Sequence, residues 1–211
     1  MKTGYTHIVL LIDRSGSMVS IKTDMEGGLK KFLDDQKSEE GACTITAAQF
    51  DSDYDVLYSM KDIQQVGDII IHPRGSTALL DSMHRLILEA GKELDSLADD
   101  LKPSKVLFVT ITDGEENASR EVSYEQLRTL IRQQEDVYSW DFVYLGANQD
   151  AFAVGENLGI KSNSSLNFHA DKTGIELMCL NMSRATTRYR KGKERFGFTG
   201  EEQSGAEKDK K

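Results

Sequence analysis

The chain has 211 residues, 38% hydrophobic and 29% charged, with a formal net charge of −9. That length favours one domain with a sizeable core, and the composition is that of a globular protein, which excludes a fibrous or wholly disordered chain. A negative surface repels phosphate backbones, so nucleic acid is excluded as the expected partner.

Lys2 precedes an apolar run, Ile8 to Ile12, that Asp13 ends. Five residues are too few for a signal-peptide core or a membrane span, and no later run is long enough either. The expectation is a cytoplasmic protein with no membrane partner. His7 to Ile12 (HIVLLI), Val106 to Thr112 (VLFVTIT) and Trp140 to Leu145 (WDFVYL) have continuous β-branched and aromatic content. Such runs read as interior strands of a parallel sheet. Met18 to Gln36 carries Ile21, Met25, Leu29, Phe32 and Leu33 at steps of three and four, the period of a helix. Thr44 to Phe50 and Tyr54 to Met60 are two further strands with only Asp51, Ser52 and Asp53 between them. That spacing predicts an antiparallel hairpin with a solvated acidic tip. Ala78 to Leu97 shows a second apolar helical face, and Ser123 to Gln134 opens with a capping signal, Ser123 followed by Gln126. Ala151 to Leu158 reads as a helix with Asn148 as its cap and Gly159 as a left-handed stop. A short strand at Ser165 to Phe168 and a last helix, Thr173 to Tyr189, complete the pattern. Residues 1–195 therefore read as one domain. Residues 196–211, polar, glycine-containing and without periodicity, read as a disordered tail. Cys43 and Cys179 sit in apolar segments without metal-ligand spacing, which predicts two buried free thiols and suits a reducing compartment.

Strand–helix alternation builds an open, doubly wound α/β sheet with helices on both faces. Ligands of such sheets bind outside the carboxyl ends of the strands. The loops after Ile12, Ile71 and Thr112 are therefore the places to look. The first reads Asp13-Arg14-Ser15-Gly16-Ser17, three oxygen side chains at alternating positions with a glycine for the tight turn. Oxygen-only donors suit a hard cation such as Mg²⁺. The second loop, His72 to Thr77, leads into a helix, and Gly-Ser-Thr there is also an ordinary N-cap. The third, Thr112-Asp113-Gly114, is also an ordinary turn. Their joint convergence on one sheet edge is the stronger signal.

In these residues the sequence resembles the von Willebrand factor A family: Asp13, Ser15 and Ser17 (DRSGS), Thr77 in the second loop, and Asp113 in the TDG of the third. The resemblance spans roughly Tyr5 to Tyr189. It implies a doubly wound, mostly parallel sheet with one antiparallel edge strand. It also implies a metal-ion-dependent adhesion site: Ser15, Ser17 and Thr77 as direct ligands, Asp13 and Asp113 acting through water or directly. Mg²⁺ is the implied cofactor, with Mn²⁺ or Ca²⁺ as alternatives. The implied partner is a protein supplying a Glu or Asp carboxylate to the ion. The segments TDGEEN and GANQDAF resemble small standalone bacterial or phage members. In relatives, engagement at the metal couples to movement of the last helix, here Thr173 to Tyr189.

Arg14, Arg74 and Arg120 are candidates for a rim that attracts an acidic partner, or are simply solvated arginines. Glu115, Glu116 and Asn117 either tune the site or cap the following turn. Asp51, Asp53, Asp55 and Asp62 mimic EF-hand spacing, but Val56 stands where glycine is required. The four histidines show no ligand spacing. No phosphate-binding glycine loop and no nucleophile elbow occurs. The alternative function is a metal-dependent phosphohydrolase with Asp13 as nucleophile. Such enzymes need a second Asp two residues on as general acid, and Ser15 stands there.

Overall fold

The computed structural model describes residues 2–192 and 194–205. Six strands form one sheet: β1 (Lys2–Asp13), β2 (Cys43–Phe50), β3 (Tyr54–Asp62), β4 (Pro103–Thr112), β5 (Asp141–Ala147) and β6 (Ser165–Phe168). Their order is β3-β2-β1-β4-β5-β6. Every neighbouring pair is parallel except β2 and β3, the expected hairpin. Parallel strands buried on both faces need apolar residues at odd and even positions alike. In β1, Ile8, Leu10 and Ile12 enter one core while Val9 and Leu11 enter the other.

Helices α1 (Lys22–Lys37) and α5 (Lys172–Lys191) cover the first face. Helices α2 (Leu79–Asp95), α3 (Tyr124–Tyr138) and α4 (Ala151–Leu158) cover the second. On the first face α1 and α5 approach so closely that a Cβ on Gly28 would lie 2.5 Å from Cys179 Sγ. Glycine there is a packing requirement. Both cysteines are buried and free. Burial pushes the Cys43 thiol up to about 11 and the Cys179 thiol up to about 12, so neither is a reactive thiolate.

Some boundaries differ from the sequence reading. A single 3-10 turn, Gly16–Ser20, precedes α1, so the α-helix proper begins at Lys22. The α3 capping box forms in both directions. Gly159 ends α4 at φ 85°, as expected, but Asp150 caps that helix, accepting from the Phe152 and Ala153 N–H groups. Asn148 instead adopts φ 56° and donates to the Asp113 carbonyl at 3.2 Å. The expected tail is largely not a tail. Phe196 and Phe198 are 3% and 6% exposed and join the first core. The two rings meet edge to face at 5.2 Å, and Phe196 packs likewise on Tyr189. A short helix α6 (Gly200–Gly205) follows, and Glu202 takes both guanidinium N–H₂ groups of Arg188 at 2.7 Å. The domain thus continues to residue 205, and 206–211 lie outside the described residues. Among those residues no helix is long and apolar enough to cross a membrane.

His7 is wholly buried in β1, with Nδ1 2.8 Å from Thr44 Oγ1 and no partner for Nε2 among the described residues. Burial holds its imidazole down to about 4, against a weak opposing contact from Thr44. Above pH 6.5 the ring is neutral folded and unfolded, and contributes no pH dependence. As pH falls below 6.5, the unfolded chain takes a proton that the folded chain refuses until about 4, so stability drops across that window. The expected loss is about 2–3 kcal/mol between pH 7 and 4.5. Urea midpoints at the two pH values should therefore converge in His7→Leu relative to wild type. An unchanged difference would contradict the assignment.

Candidate metal centre

β1 ends at Asp13 and β4 at Thr112, neighbouring strands whose carboxyl ends open onto the same edge. Asp13 is wholly buried there, and both carboxylate oxygens are oriented: Oδ1 accepts the Ser15 N–H at 2.6 Å, and Oδ2 accepts the Thr112 hydroxyl at 2.6 Å. Burial pushes the Asp13 carboxyl up to about 6, those two hydrogen bonds partly opposing, with nearby Asp113 adding to the rise. Burial also raises Asp113, opposed by the Ser17 hydroxyl. Two buried carboxylates with raised affinity for a proton stand ready to accept a cation in its place.

The hydroxyls complete the arrangement. Ser15 Oγ lies 3.0 Å from Ser17 Oγ, and Ser17 Oγ donates to Asp113 Oδ1 at 2.6 Å. A Cβ on Gly114 would meet both Ser17 Oγ and Thr77 Oγ1 at 3.5 Å, so Thr77 faces the same cradle from the second loop. Adjacent ligands of an octahedral ion with Mg²⁺-type bond lengths are separated by roughly 2.9 Å. The Ser15–Ser17 and Ser17–Asp113 spacings bracket that value, so the donor set fits a small hard cation. Among the described residues no group of three or more His, Cys, Asp and Glu side chains could hold a metal ion. A cation here therefore depends on hydroxyl oxygens. All five sequence-derived residues, Asp13, Ser15, Ser17, Thr77 and Asp113, lie in this one cluster.

The second loop is not the helix cap it could have been. Neither Ser76 nor Thr77 caps α2, and Ala78 occupies the cap position without a side-chain bond. The third loop does the capping from outside. Asn117 Oδ1 accepts the Thr77 N–H (2.9 Å), Glu116 Oε2 accepts the Leu80 N–H (3.0 Å) and Ser119 Oγ accepts the Asp81 N–H (3.1 Å). In return the Asp81 carboxylate accepts the N–H groups of Arg120, Glu121 and Val122. Glu116 and Asn117 therefore hold the two loops together. Sequence reasoning missed these contacts, and missed Thr112, because the groups they bond lie 36 to 99 residues away. The only signal available was a polar residue immediately before Asp113.

The arginines divide. Arg14 is buried, its Nε 3.0 Å from Asp51 Oδ2 and its Nη1 2.5 Å from Asp55, so the expected rim role does not hold for it. Arg74 pairs with the same Asp51 oxygen at 2.8 Å. Burial pushes the Asp51 carboxyl up, but the Asp53 N–H and the two guanidiniums outweigh it and leave it below the ordinary value. At the hairpin tip Asp51 is thus a buried ion-pair hub, while Ser52, Asp53 and Asp55 stay exposed, as expected of a solvated turn. Arg120 is exposed, and its guanidinium has no ion-pair partner among the described residues.

The sheet order, the antiparallel edge strand and the loop cluster define a von Willebrand factor A-type fold. Solved structures share it at low identity. Proximal thread matrix protein 1 from the mussel byssus, with a zinc-occupied MIDAS motif, superposes at TM-score 0.59 with 16% identity over 88% of this chain and 46% of that one. The von Willebrand factor type A protein from Catenulispora acidiphila gives 0.59 and 13% over 86% and 42%. The ArnB paralogue VWA2 from Sulfolobus acidocaldarius gives 0.55 and 17% over 87% and 45%. The chain spans less than half the length of each. No family model and no curated protein matches the sequence.

Proposed function

We propose that this protein is a metal-ion-dependent protein-binding module, in which Ser15, Ser17 and Thr77 ligate Mg²⁺ and Asp13 and Asp113 neutralise it directly or through water. The observation that carries this reading is the Ser15–Ser17–Asp113 chain of oxygens at octahedral spacing, with Thr77 facing it. The byssus protein, of the same fold, has a metal in its MIDAS motif, which supports the same use here. Bound in this cradle, a divalent cation would balance the two carboxylates in formal charge, but five protein groups leave at least one of its six octahedral positions open, and a Glu or Asp carboxylate of a partner protein fills it. Asp51 engages the guanidiniums of both Arg14 and Arg74 at the hairpin. Arg120 is the cation free to meet an acidic partner. The protonated thiols suit a reducing compartment such as the cytoplasm.

A phosphohydrolase fits less well. Nucleophilic attack by Asp13 needs an accessible oxygen, whereas this carboxylate is fully buried with both oxygens hydrogen-bonded. Affinity capture of partners in Mg²⁺, repeated in excess EDTA, tests the proposal. The expected outcome is a partner set present only with the ion, restored by Mg²⁺ and to different degrees by Mn²⁺ and Ca²⁺. Equal capture in EDTA would overturn it.

A further inference from the structure

The sheet edge that carries the metal cluster has a fourth loop, Asn148 to Asp150, between β5 and α4. It lies outside the five-residue pattern, yet it reaches the third loop twice. The Asn148 side chain donates to the Asp113 carbonyl at 3.2 Å, and the Gln149 side-chain amide donates to the Gly114 carbonyl at 2.9 Å. Asp113 is thereby pinned on its carboxyl-terminal side, where β4 has already ended. Gln149 is the firmer of the two contacts, half-buried where Asn148 is exposed. Thr112 has a single hydroxyl proton, and the Asp13 carboxylate at 2.6 Å takes it in preference to the Gly114 carbonyl at 3.0 Å. Gln149 is therefore the side-chain donor that the Gly114 carbonyl keeps.

Gln149 is itself oriented. Its Oε1 accepts from the Tyr144 hydroxyl at 3.1 Å. Tyr144 is wholly buried in β5, and burial pushes its phenol above the ordinary value, so it holds the proton it donates. With Oε1 engaged there, the amide nitrogen is the atom that faces the Gly114 carbonyl. The loop is fastened at its far end as well: Asp150 caps α4, and the Ala151 N–H donates to Asn167 Oδ1 at 2.7 Å. A run of hydrogen bonds thus crosses from β5 to β1, from Tyr144 to Gln149, from Gln149 to Gly114, from the Gly114 N–H to Thr112 at 3.2 Å, and from Thr112 to Asp13. Both carboxylates of the cluster are tied to it, Asp13 through Thr112 and Asp113 through its own backbone.

Selectivity between small and large divalent cations depends on how rigidly the ligands are held. Mg²⁺ demands near-ideal octahedral bonds of about 2.0–2.1 Å, whereas Ca²⁺ accepts about 2.3–2.6 Å and irregular geometry. Building on the metal-site reading above, we propose that Gln149, supported by Tyr144 and Asn148, is a positioning residue that holds Asp113 at the spacing of the smaller ion and so sets a preference for Mg²⁺ over Ca²⁺.

Calorimetric titration of the full chain with Mg²⁺ and with Ca²⁺ tests this, with melting temperatures in EDTA reporting the metal-free fold. Gln149→Met keeps the reach of the side chain and removes its donor. It should weaken Mg²⁺ about tenfold, the usual effect of losing a group that orients a metal ligand, and Ca²⁺ less, so that the ratio of the two affinities falls about fivefold. Tyr144→Phe should shift the ratio in the same direction and add nothing on top of Gln149→Met, because it acts through that side chain. Asn148→Gly accepts the φ of 56° without strain, so the metal-free fold is kept while the bond to the Asp113 carbonyl is lost, and the ratio should again fall. Equal weakening of both ions, or an unchanged ratio in both Gln149→Met and Asn148→Gly, would overturn this proposal and leave the metal site standing. A wild-type chain that binds neither ion would overturn the metal site itself, and this role of Gln149 with it.

Discussion

Asp13→Ala is expected to abolish divalent-cation binding while the chain stays folded. The variant removes one of two carboxylates facing three neutral hydroxyls. Loss of partners that merely orient metal ligands already costs 10–100-fold, so loss of a carboxylate itself should cost more than about 100-fold in affinity. The fold should survive because Asp13 is not a stabilising charge. Its burial raises its carboxyl to about 6, which means the buried anion is held at a cost at neutral pH. What disappears is the pair of hydrogen bonds from the Ser15 N–H and the Thr112 hydroxyl. Calorimetric titration with Mn²⁺, alongside circular dichroism, checks both halves. Thr112→Val is the companion: it frees one Asp13 oxygen without removing the charge, and should weaken the ion about tenfold. Wild-type affinity in Asp13→Ala would sink the metal site.

The second large effect concerns the end of the described chain. Phe196→Ala and Phe198→Ala should each destabilise by about 3–4 kcal/mol, the usual result of truncating a buried phenylalanine. Urea unfolding followed by circular dichroism measures this. A disordered tail would give no change for either variant. The geometry predicts the opposite, since both rings are almost wholly enclosed and joined edge to face. Arg188→Ala should cost less, because its bidentate pair with Glu202 is half-exposed on the arginine side.

The strands and helices were readable because their apolar periodicity is local. HIVLLI and VLFVTIT could hardly be anything but central parallel strands, and Ser123 to Gln126 announced its capping box. The five site residues were readable for a different reason: an oxygen-rich loop at the end of a buried strand is a short pattern with few other uses. What stayed hidden depends on distant partners. Arg14 looks solvated until Asp51 is brought beside it from 37 residues away. The capping of α2 by Glu116, Asn117 and Ser119 leaves no mark in the helix's own sequence. Asn148 and Asp150 both suit a cap, and only the turn geometry chooses between them. The segment 196–205 is polar on average, and its two buried rings are too few to register as a period.

The mutual fastening of α2's first turn and the Glu116–Val122 segment has a consequence for engineering. Neither loop is an exchangeable part. A third loop transplanted from another protein of this fold would arrive without acceptors for the Thr77, Leu80 and Asp81 amides, and its own backbone would miss the Asp81 carboxylate. Binding preferences in this scaffold should therefore be retuned by exchanging residues 76–81 and 115–122 as a matched cassette.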